Sequence, residues 1–99
     1  MSLLTDSSRS TLENIIVNCI VCIPEWVPEY RKEGAKKMWM YEKAEDFVLG
    51  LIIGMIYANF ESFFLTTRRK QLDPQERTEV MMIIFKRIEE IKESLSRTK

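Results

Sequence analysis

An all-α fold is predicted: a small bundle of three to four helices around a long apolar central helix, completed by oligomerisation. Three observations predict it. The 99 residues include only three glycines and three prolines, which favours long regular elements over a loop-rich fold. Two stretches, Ser10-Thr-Leu-Glu13 and Asp73-Pro-Gln-Glu76, carry helix-start signatures. Residues 47–65 are apolar on every side of a helix drawn through them, so they need helical neighbours, a second copy, a partner or lipid around them. A chain this short has room for one core, and residues 1–99 are expected to form a single helical domain.

Residues 1–8 are polar apart from Leu3 and Leu4 and read as a flexible tail. The first helix is expected over residues 10–23, because Ser10 and Glu13 fit a capping box that satisfies two free amides reciprocally. Leu12, Ile15, Ile16, Cys19, Ile20 and Ile23 recur at helical spacing and define its buried face. The many β-branched residues of this run also suit a strand, but the chain offers no strand to pair with it. Pro24 and Pro28 disfavour helical geometry in the residues before them, so the main corner of the fold is expected there.

From Glu29 the chain reads as helix to Lys70, with a break at Gly34 as the one interruption, since glycine costs about 1 kcal/mol inside a helix relative to alanine. Tyr30, Met38, Trp39 and Tyr41 give the first part an apolar side. The last helix is expected over residues 73–95. Asp73 caps it, Pro74 takes the first helical position and Glu76 closes the box. Val80, Ile84, Ile88, Ile91 and Leu95 form its packing stripe, and residues 96–99 should fray.

Composition excludes more functions than it suggests. Fifteen basic and fifteen acidic residues give zero formal charge, which removes the general electrostatic case for nucleic-acid binding. The absence of histidine removes the commonest metal ligand and the usual acid–base group near neutral pH. The N-terminus has no basic region followed by a long apolar run, so no secretory signal is expected and the location reads as cytoplasmic. The protein is therefore expected not to be an enzyme, with no catalytic residues, no cofactor and no metal.

Three local patterns were candidates for chemistry. Cys19 and Cys22 have the spacing of zinc and redox dithiols, but a zinc site would need a second chain to complete four ligands, and both thiols read as packing residues in an apolar helix. Glu42 and Glu45 resemble the first, ExxE, motif of the all-α MazG-type pyrophosphohydrolases, which implies a Mg²⁺ site with Glu61 and a further carboxylate. Phe64 stands where the second motif of that family has its aspartate, so Glu42, Glu45, Asp46 and Glu61 read instead as solvated or edge carboxylates. Asn59 and Glu61, if inside a helical core, require partners; Arg68, Arg69 or a last-helix arginine is the expected partner of Glu61.

The expected function is a non-enzymatic protein–protein interaction module, a homodimer acting as a small accessory or regulatory protein. Gly50 and Gly54 form a Gly-xxx-Gly pair that lets helix backbones approach closely, and the interface is expected on Leu49, Gly50, Ile53, Gly54, Tyr57, Phe60 and Phe64. The central helix, flanked by two amphipathic helices, would leave several hundred Å² of apolar surface uncovered, roughly the size that marks interaction sites. Two other readings stand beside it. Arg68, Arg69, Lys70 and Arg77 could meet nucleic-acid phosphates, and residues 47–65 are long enough for a single membrane span followed by a basic anchor.

Overall fold

The structure, a computed structural model, describes residues 4–98. Within them the chain forms five helices and no strand: α1 (Asp6–Tyr30), α2 (Glu33–Trp39), α3 (Ala44–Arg68), α4 (Pro74–Lys86) and α5 (Ile88–Arg97). The all-α class is as the sequence predicts; the number and limits of the helices differ, for reasons that can be read residue by residue.

The first helix starts earlier than Ser10. Thr5 is its cap, its hydroxyl oxygen accepting from the Ser8 amide at 3.0 Å. Ser10 and Glu13 consequently lie inside the helix, where no box is needed. The earlier start is held by tertiary contacts: Leu4 is buried and its amide donates to the Glu79 carboxylate at 3.1 Å. Of the expected N-terminal tail, residues 1–3 lie outside the described residues, and the rest is ordered against α4.

The expected corner at Pro24 and Pro28 is also overturned, since α1 runs through both to Tyr30. Each proline removes one helical amide, and Pro24 sits on the exposed side of the helix. About 60–100° around the helix from it, at 100° per residue, Ile23 and Val27 are fully buried. Burying such side chains contributes about 1.5–3 kcal/mol each, enough to offset the loss of a helical hydrogen bond at a proline.

The long helix expected from Glu29 to Lys70 is broken, but not by Gly34, which lies within α2 without a positive φ. It is broken twice: at Arg31 and Lys32, between α1 and α2, and at Met40, a left-handed cap with φ 58° whose amide donates to the Lys36 carbonyl at 2.8 Å. A non-glycine residue costs free energy in that conformation. Its neighbour Tyr41 holds the turn: the hydroxyl donates to the Tyr30 carbonyl, and the ring stacks on Phe47 with centroids 4.7 Å apart.

At Asp73 sequence and structure agree in full. The Asp73 carboxylate accepts from the Glu76 amide at 2.7 Å, and the buried Glu76 accepts from the Asp73 amide at 3.0 Å, with Pro74 in the first turn. The expected single last helix is divided at Arg87 (φ −103°, ψ 6°), whose amide turns to the Ile84 carbonyl. The Arg87 guanidinium, paired with Glu13 of α1 and with Glu90, ties this bend to the first helix.

Leu12, Ile16, Cys19, Ile23 and Val27 of α1 meet Val48, Ile52, Ile56, Phe60 and Phe64 of α3, with Val80, Ile84, Ile91 and Leu95 completing one buried cluster. In α3 the buried residues fall every fourth position, a single stripe. Phe47, Leu49, Ile53, Tyr57 and Phe63 flank this stripe half-buried, and the side of α3 that carries Gly50, Gly54 and Met55 is exposed.

Candidate functional site

The uncovered side of α3 faces an apolar groove of about 970 Å³. Gly50, Ile53, Gly54 and Tyr57 supply its α3 side. Its other side comes from α4, chiefly Met81, Met82 and Phe85, with Pro74 and Arg77 toward one end and Ile88 toward the other. The sequence explains this shape. Val80 and Ile84 are spent on the core, so the remaining large apolar residues of α4 point elsewhere, and Met82 and Phe85 stay 58% and 71% exposed.

The floor is low because Gly50 and Gly54 have no side chains. A Cβ built at either would meet nothing within 4 Å. Packing within the protomer therefore gives no reason for glycine at these positions, although each costs about 1 kcal/mol relative to alanine in a helix. Arg77 and Lys86 stand at the rim of the groove. Burial first, then the Glu61 carboxylate, pushes the Tyr57 phenol above its ordinary value of 10.0, and the Arg77 charge opposes them.

Of the seven interface residues expected from sequence, Gly50, Ile53, Gly54 and Tyr57 line the groove. Leu49 is half-buried against the core, while Phe60 and Phe64 are core residues of the protomer itself. Met81, Met82 and Phe85 were missed. The signal that could have found them is a surplus: once Val80 and Ile84 are set aside, α4 still carries four large apolar residues, Met81, Met82, Ile83 and Phe85, within one turn and a half, of which Ile83 alone packs against the core.

The four basic residues considered for phosphate contact are all exposed, and two of them are paired within the protomer. Arg68 donates to the Thr5 hydroxyl at 2.8 Å, and Arg69 is the left-handed cap of α3. Lys70 pairs with the buried Glu76 at 3.3 Å and lies over the Phe64 ring. Arg77 is part of the groove.

Glu61 and Asn59 are both exposed, so neither is a polar group inside the core. Glu45 is bound to Arg31 and lies about 24 Å along α3 from Glu61, at 1.5 Å per residue. Among the described residues no three histidine, cysteine or acidic side chains converge to hold a metal ion. Cys19 is buried and Cys22 half-buried, both as free thiols. No protein-family model, curated protein or solved structure matches the chain.

Proposed function

We propose that the protein is a non-enzymatic helical interaction module, a cytoplasmic accessory or regulatory protein that works as a homodimer, with the α3–α4 grooves of two copies packed together to complete a helical bundle. The observation that carries this reading is the pair of glycines on the floor of an apolar groove that the protomer leaves unfilled. A groove of about 970 Å³ accommodates roughly two turns of a helix about 10 Å across. The patch is also self-complementary. Each copy offers a concavity at Gly50 and Gly54 and, beside it, projections at Met82 and Phe85, which is what a two-fold interface requires.

Sedimentation equilibrium in detergent-free buffer tests the proposal. A dimer mass that reverts to monomer in Gly54→Leu is the expected result, because a leucine there fills the concavity without disturbing the protomer. A monomer mass throughout the micromolar range would overturn it.

One observation favours a second reading, a single membrane span over residues 47–65. Among the described residues α3 alone is long and apolar enough to cross a bilayer, with a mean hydropathy of 1.7, and only 28% of its most apolar stretch is buried in the protomer. Against the span, Asn59 and Glu61 would be carried into or near the hydrocarbon. A protein that leaves solution whenever detergent is removed would favour this reading over the dimer.

A further inference from the structure

Away from the groove, the turn between α2 and α3 presents a second apolar feature of a different shape. Met38, Trp39 and Met40 are 73%, 56% and 88% exposed. They are consecutive: Met38 and Trp39 end α2, the Trp39 ring lying 6.2 Å from that of Phe47, and Met40 is the left-handed cap at which the chain turns, so the three expose apolar side chains together at one turn. Lys36, Lys37 and Lys43 surround them, and within residues 36–43 the three lysines face a single acid, Glu42, in a chain that is neutral as a whole. Of the nearby acids, Glu45 is neutralised by Arg31 at 2.9 Å, Glu33 lies at the opposite end of α2, and Asp46 follows in the first turn of α3.

We infer that this tip anchors the protein to the surface of an anionic lipid bilayer, Met38, Trp39 and Met40 entering the headgroup region while Lys36, Lys37 and Lys43 meet the acidic headgroups. Charge selects an anionic lipid surface: three exposed apolar residues, one of them a tryptophan, stand in a row among three lysines, with one acid between them. Tryptophan favours the membrane–water interface, and clustered lysines favour anionic headgroups. The tip is also held in place for this. The Met40 amide is bonded to the Lys36 carbonyl and the Tyr41 ring is stacked on Phe47, so the exposed residues do not collapse back onto the protein.

The test uses the full chain with vesicles of phosphatidylcholine alone or mixed with phosphatidylserine, followed by vesicle co-sedimentation and tryptophan emission. Binding to the mixed vesicles is expected, weakened by added salt, with a blue shift of the emission. Lys36→Ala with Lys37→Ala should weaken it about 25-fold, at about fivefold per lysine, and Met38→Ser with Met40→Ser about tenfold or more. All four positions are exposed, so the variants keep the fold, which circular dichroism checks. No binding to mixed vesicles, equal binding to phosphatidylcholine alone, or binding untouched by either double substitution would overturn the inference.

Discussion

The Arg31 guanidinium lies side-on against the Glu45 carboxylate, with Nε to Oε1 and Nη2 to Oε2 both at 3.1 Å. The same group donates to the Leu95 and Thr98 carbonyls at the end of α5. One side chain at the C-terminal cap of α1 thus joins the acidic first turn of α3 to the carbonyl end of α5, where a cation is favoured by the helix dipole. Thr98 is tied down by this contact, and of the C-terminal residues expected to fray only Lys99 lies outside the described residues.

Arg31→Ala should therefore destabilise the fold by about 2 kcal/mol, the scale of lost charge-assisted hydrogen bonds to partly buried acceptors. Arg31→Lys should recover less than half of that, since an ammonium cannot reproduce the two-pronged contact. Urea denaturation midpoints give both values, and an alanine variant of wild-type stability would show that the junction is not energetically significant.

The helix starts separate local signature from formed cap. Thr5→Ala and Asp73→Ala should each cost about 1 kcal/mol. Ser10→Ala should be neutral or slightly stabilising, because Ser10 is exposed inside α1 and alanine is the better helix former. The reverse ranking in thermal or urea unfolding would return the start of α1 to Ser10.

Pro24→Ala should stabilise the protein by about 2 kcal/mol, restoring an amide inside a continuous helix, less the added freedom of the unfolded chain. A loss of stability on this substitution would mean that α1 does not run straight through residue 24.

Gly50→Ala and Gly54→Ala are expected to raise protomer stability by about 0.5–1 kcal/mol each at dilution, where the added methyl meets open space. At concentrations that populate the proposed homodimer the sign should reverse, because the methyl would then obstruct the second copy. Unfolding followed across protein concentration reads both effects in one series.

Burial, and then the neighbouring Cys22, pushes the Cys19 thiol above its ordinary value of 9.0. The neutral thiol is thus favoured in the folded state, and its contribution to stability is complete below about pH 9 and lost as pH rises through the folded value. Ellman's reagent at mildly alkaline pH should label Cys22 promptly and Cys19 only slowly. Equal rates would show that Cys19 is not buried.

What was legible in the sequence was what local chemistry decides. The Asp73 box uses side chains within one turn of each other, and it forms as read. Met40 was not legible, because nothing local favours a left-handed methionine; the support comes from Tyr41 reaching Tyr30 and Phe47. The prolines misled for the same reason in reverse: their local preference is outweighed by Ile23 and Val27 in the core. The glycine floor of the groove could be read from its spacing. Its α4 wall was missed although Val80 and Ile84 were rightly given to the core, because the apolar residues left over on α4 were not asked what they face.

The single stripe that α3 contributes to the core has an evolutionary consequence. Folding constrains Val48, Ile52, Ile56, Phe60 and Phe64 most, constrains the half-buried Ile53 and Tyr57 less, and leaves Gly50 and Gly54 under little obligation to the protomer. Changes at Gly50 or Gly54 can accumulate without unfolding the chain, so descendants of this scaffold could reshape the groove while inheriting the same interior.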